Sequence, residues 1–178
     1  LLILTLGFVA VSLCYATELM ELLYNKHISE SATVYKILSF CFIPISMTYI
    51  FGTVLTANGS LKYLNLVAGL GMLMNIGLNL WLIPLFKENG AAMTSLITQS
   101  VTAILQAWLA LKIFKIKFEW RYTLKILIFI ALVIIIAYSI QFLELDWVIR
   151  VTITLSLIII ASFITKIFSL KDIKALIS

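Results

Sequence analysis

The chain has 178 residues, 63% of them hydrophobic and 12% charged, with a formal net charge of +5 and a mean hydropathy of +1.14. Soluble domains carry roughly 45–50% apolar residues, so this composition excludes an ordinary soluble fold and reads as a polytopic membrane protein. The basic balance shows no aromatic-interleaved stripe of Lys and Arg, so nucleic acid is not an expected partner and membrane lipid is.

A helix needs ~20 mostly apolar residues to cross a bilayer, and about six stretches meet that length. In chain order they are Leu1 to Tyr24, Thr33 to Ala57, Lys62 to Phe86, Ala91 to Lys112, Thr123 to Leu143 and Trp147 to Phe168. The predicted fold class is all-α, a polytopic membrane helix bundle. Leu1 opens inside the first span with no initiator Met, basic leader or small-residue cleavage site, so the expectation is a fragment whose N-terminal half is missing. Residues 1–168 form the expected lobe of spans. Residues 169–178 form a cytoplasmic tail that extends the last span or lies along the inner surface as a short amphipathic helix.

Between the spans the charges alternate. Lys62, then Lys112, Lys115, Lys117, Arg121 and Lys125, then Lys166, Lys171 and Lys174 mark one side. The other carries Lys26 with Glu18, Glu21 and Glu30, then Lys87 with Glu88, then Glu144 and Asp146 with Arg150. The positive-inside rule makes the Lys-rich side cytoplasmic and puts the C-terminus there. Tyr24, Tyr63, Trp120, Tyr122 and Trp147 fall at span ends, where an amphipathic ring suits the headgroup zone. Asn58-Gly59-Ser60, on the predicted cytoplasmic side, reads as a tight turn and not as a glycosylation acceptor.

The polar residues inside the spans carry the functional signal. In the second span Ser46, Tyr49, Thr53 and Thr56 recur at helical spacing, and Pro44 and Gly52 loosen the same helix. In the fourth, Ser95, Gln99, Thr102 and Gln106 make one face. In the third, Gly71, Asn75 and Asn79 stand at four-residue steps, and Gly71 admits a close neighbouring backbone. Two readings stand for each stripe: glue between helices, with hydroxyls bonded to their own carbonyls, or the wall of a transport cavity. The span-two stripe leans towards the cavity and the Asn stripe towards packing. The fifth and sixth spans hold few polar side chains and are expected to face lipid. Chemistry-bearing clusters are absent from the sequence: His27 is the sole His, and Cys14 and Cys41 both fall in spans. No catalytic residue, metal ligand or cofactor is expected, and the chain is not read as an enzyme.

Gly52-Thr53-Val54-Leu55-Thr56-Ala57-Asn58-Gly59, then Asn75 to Pro84, then Gly90-Ala91-Ala92 resemble the C-terminal half of bacterial polysaccharide biosynthesis flippases, the O-antigen and capsule repeat-unit exporters of the multidrug/oligosaccharidyl-lipid/polysaccharide exporter superfamily. Glu18 to Tyr24 is also similar, and the likeness runs from about Glu18 to Gln99. It departs at Lys87-Glu88-Asn89, where the family usually has a Gly after the Pro-aromatic turn.

The resemblance implies one lobe of a two-lobed inner-membrane transporter that moves undecaprenyl-diphosphate-linked oligosaccharide by alternating access, partnered by a missing N-terminal lobe. Spans one and two would then line the cavity, with Ser46, Tyr49, Thr53, Thr56 and Gln99 as sugar-facing candidates and Gly71, Asn75 and Asn79 as packing or cavity residues. Spans one to four are read as holding no Lys or Arg deep in the membrane, which places the pyrophosphate site in the missing half or leaves this lobe only sugar-facing polarity. A cation-coupled multidrug exporter of the same superfamily is one alternative. A membrane glycosyl-transfer enzyme, an O-antigen ligase or polymerase, is another, although it would call for a large outer loop.

Overall fold

The computed structural model describes residues 1–115 and 120–164, and of 3, 121–123 and 163–164 the backbone alone. The predicted tail, Lys117 and the end of the last predicted span lie outside the described residues. Everything described is helix or short turn, with no strand: α1 (Leu2–Cys14), α2 (Ala16–Leu23), α3 (Ile28–Phe40), α4 (Phe42–Ala57), α5 (Leu61–Phe114), α6 (Trp120–Ile140) and α7 (Trp147–Ile164). Two stretches, Ile28–Ala57 and Leu61–Phe114, are long and apolar enough to cross a membrane, and α1 with α2 makes a third if that bent pair is one span. The apolar helices Leu124–Ile140 and Trp147–Ser162 are shorter. The chain divides into two compact units, whose described parts are 1–5 with 16–115 and 6–15 with 120–164.

In the first unit, local chemistry explains most of the breaks. Pro44 has no N–H for the carbonyl of Phe40 and crowds it, so α3 ends at Phe40 and α4 restarts after Cys41. At the far end of α4, Gly59 takes a left-handed φ of 75°, its N–H bonds the Thr56 carbonyl at 2.9 Å, and Ser60 N–H reaches the Leu55 carbonyl at 3.0 Å. That pair of bonds closes the helix as a Schellman cap, the tight turn expected at Asn58-Gly59-Ser60.

α5 has 54 residues, about 80 Å if straight at ~1.5 Å per residue, far more than a bilayer needs. It is not straight. Lys87, at φ 51° and ψ −127°, leaves helical geometry and reverses the chain. Three approaches define the resulting hairpin: a methyl group at Gly90 would fall on the Leu82 carbonyl, Asn75 meets Thr98, and a methyl at Gly71 would lie 2.9 Å from Thr102 Oγ1. The pairs recede evenly from Lys87, as two antiparallel helices require. The predicted third and fourth spans are thus the arms of this hairpin, and Lys87 takes a positive φ that favours Gly.

The second unit contains a break that the sequence did not announce. The first predicted span is interrupted at Tyr15, with neither Pro nor Gly there. Tyr15 is fully buried, its hydroxyl 3.4 Å from Thr154 Oγ1 and its ring 5.8 Å from the Arg150 guanidinium. Gln141 Nε2 donates to the Cys14 carbonyl at 3.1 Å, supplying the partner that the interrupted helix cannot. Phe129, Val133, Ala137 and Ile140 make a buried stripe along α6, and Thr154, Ile158 and Ala161 one along α7. The expectation that these helices face lipid is therefore corrected for one side of each, which is buried. Leu127, Ile134, Ile135 and Ile159 are exposed, and the other side forms a core.

Candidate functional site

On α4 the threonine hydroxyls bond to their own helix: Thr53 Oγ1 donates to the Tyr49 carbonyl at 2.7 Å and Thr56 Oγ1 to the Gly52 carbonyl at 2.8 Å. Each proton is engaged and each oxygen keeps lone pairs, so this face presents acceptors outward. Gly52 sets the neighbouring surface. A methyl there would lie 3.2 Å from Gln106 Oε1, so the bare backbone admits the second arm of α5 beside α4. Gln99, two turns before Gln106 on that arm, then closes one side of a recess of about 740 Å³ whose walls include Thr48, Tyr49, Thr53 and Thr56.

Four sequence candidates, Tyr49, Thr53, Thr56 and Gln99, are brought together in this way. Ser46 is not among them: it is buried, with its hydroxyl donating to the Ile43 carbonyl at 2.8 Å. Thr48 was missed. It lines the recess, its Oγ1 is shut off from solvent and has no hydrogen-bond partner among the described residues. Its signal was legible, since Thr48, Gly52 and Thr56 form their own four-residue stripe.

The asparagine stripe has a different setting. Asn79 Nδ2 donates to Asn75 Oδ1 at 2.9 Å, and Asn75 Nδ2 reaches across the hairpin to Thr98 Oγ1 at 3.5 Å. Gly71, one turn earlier, faces Thr102. Gly71 and Asn75 thus sit at the contact between the arms, and Asn79 joins them through its bond to Asn75. The face predicted from Ser95, Gln99, Thr102 and Gln106 divides between two neighbours: Thr102 turns to the first arm of α5, while Gln99 and Gln106 turn to α4.

Of the Lys residues within the predicted spans one to four, Lys36 stands furthest inside a span, three residues past Thr33. α3 begins at Ile28, ahead of the predicted start at Thr33, which puts the exposed Lys36 about 12 Å along the helix at ~1.5 Å per residue. A long stem lets such an ammonium reach towards the headgroups. Among the described residues, no charged side chain lines the α4 recess. No group of three or more His, Cys, Asp or Glu able to hold a metal occurs among the described residues, and neither Cys14 nor Cys41 is in a disulfide. His27 Nδ1 lies 3.8 Å from Glu30 Oε1, and both side chains are exposed. Chemically the recess offers lone pairs, an amide, a phenol and an exposed aromatic ring to an uncharged, hydroxyl-rich solute. Compared with known protein families, curated proteins and solved structures, the chain matches none.

Proposed function

We propose that this chain is one lobe of a lipid-linked oligosaccharide flippase of the bacterial inner membrane, moving undecaprenyl-diphosphate-linked glycan between leaflets by alternating access. The α4 recess carries the reading. Tyr49, Thr53, Thr56 and Gln99 converge on one concavity, and acceptor oxygens beside an amide suit sugar hydroxyls. The resemblance in the segments Gly52 to Gly59, Asn75 to Pro84 and Gly90 to Ala92 supplies the family. In this proposal α1 with α2, α3 with α4, each arm of α5, α6 and α7 each make one crossing, and the Lys-rich ends and the C-terminus are cytoplasmic. Lys36 is the cation that the lobe offers near the membrane surface for a phosphate.

A cation-coupled drug exporter would be better served by a carboxylate in the cavity, whereas the recess is lined by Tyr, Thr and Gln and by no acid. A glycosyl-transfer enzyme would need a positioned acid or base, and none lines the recess.

The test is complementation of a flippase-deficient strain by the complete reading frame, scored by surface O-antigen or capsule. Restored display is the expected result. Normal membrane insertion with no display from any matched glycan locus would sink the proposal. Orientation is read separately, with Ser31→Cys and Asn89→Cys in a background lacking Cys14 and Cys41: both should react with an impermeant thiol reagent on intact cells, and protection of both would reverse the topology.

A further inference from the structure

A cavity larger than the α4 recess lies elsewhere in the first unit. It lies where α2, α3 and the hairpin turn of α5 come together, holds about 840 Å³, and has two distinct parts. Its floor is apolar, built from Met20 and Leu23 of α2 and Val34 and Leu38 of α3. Its rim is charged with both signs: Glu30 on α3 and Lys87 with Glu88 at the turn. Neither Lys87 nor Glu88 makes an ion pair among the described residues, and the contact of Glu30 is with His27.

Local geometry holds these charges in place. His27 takes a left-handed φ of 56° at the start of α3, and Lys87 a φ of 51° at the head of the hairpin. Ala16, Met20 and Ala32 clamp α2 against α3 beneath. The rim therefore belongs to two separately anchored segments, the start of α3 and the head of the hairpin, and does not depend on one flexible loop.

We propose that this cavity binds the headgroup of a zwitterionic phospholipid carrying a primary ammonium next to its phosphate. The phosphate would pair with Lys87, the ammonium with Glu30 and Glu88, and the first acyl carbons would lie on Met20, Leu23, Val34 and Leu38. The charge balance selects this class. One lysine against two carboxylates, with the His27 imidazole beside Glu30, disfavours a purely anionic head, and a quaternary ammonium would have no N–H to donate to the carboxylates. The inference needs only that these apolar helices meet a membrane, and it stands or falls independently of the flippase reading.

The test uses the full chain purified in detergent and equilibrium binding of tail-labelled phosphatidylethanolamine, phosphatidylcholine and phosphatidylglycerol, with soluble phosphoethanolamine as competitor. Phosphatidylethanolamine should bind about fivefold more tightly than either other lipid, the scale of one exposed charge-assisted contact. Glu30→Gln with Glu88→Gln should invert the preference towards phosphatidylglycerol, because Lys87 then acts alone. Lys87→Gln should weaken all phosphate-bearing lipids together. These side chains are exposed, so helix content and Tm are expected to hold. Equal binding of the three lipids by the unaltered chain overturns the proposal, as does a preference unchanged in the double variant. Competition by soluble phosphoethanolamine as effective as that of the intact lipid would also overturn it, by removing the apolar floor from the site.

Discussion

The polar stripe on α4 and the one on the first arm of α5 are written in the same code, small or polar residues every three or four positions on an apolar helix, yet they sit in opposite surroundings. Asn75 has Asn79 on its oxygen and Thr98 on its nitrogen, so its carboxamide is engaged across the hairpin. Thr53 and Thr56 bond to carbonyls of their own helix and leave their lone pairs facing a recess. Periodicity shows that a face is special. Only the partner shows whether it is a seam or a surface.

The comparison is tested most severely at the tight end of the hairpin. Gly90→Ala puts a methyl on the Leu82 carbonyl, a backbone group that cannot swing aside, so the arms must separate. Thermal unfolding in detergent should show a loss of about 3 kcal/mol, at the upper end for overpacking. A change below ~1 kcal/mol would mean that the arms are not in close contact there.

Asn75→Leu should come next. It removes the bond to Thr98, takes away the acceptor of Asn79 and crowds a close seam, for a loss of about 1–2 kcal/mol by the same measurement. Lowered stability should precede any loss of export. A variant that is fully stable but inactive would move the Asn stripe from seam to cavity.

Lys87→Gly works in the opposite direction. A side chain at φ 51° and ψ −127° is strained, and relieving it should raise stability by about 1 kcal/mol even after the added freedom of the unfolded chain. An unchanged or lower Tm would show that this backbone is not strained.

The smallest stability effects belong to the recess. Thr53→Val and Tyr49→Phe each remove one exposed hydroxyl and should stay within ~0.5 kcal/mol of the parent, as surface substitutions do. Under the proposed function, glycan export by the complete protein should nonetheless fall by roughly two- to tenfold, the equivalent of one hydrogen bond of ~0.5–1.5 kcal/mol. Stability loss without export loss would convert this stripe, too, into glue.

Much of the local architecture was legible because its causes are local. Composition forces apolar helices, Pro44 dictates a break one turn earlier, Gly59 ends α4, and the turn after Pro84-Leu85-Phe86 falls where the hydropathy lapses. The chain by itself thus determined an all-helical, membrane-compatible fold, most of its breaks, and four of the residues that meet in the recess. Tertiary structure alone decided the rest. The interruption at Tyr15 depends on Gln141 and Thr154, more than a hundred residues away. Ser46 drops out of its stripe because its hydroxyl turns to a nearby carbonyl in a buried spot. Gln99 and Thr102 part company because their helix lies between two neighbours. Spacing along a helix sets the direction in which a side chain points, but the free energy of a polar group depends on what it meets, and that is supplied by distant chain.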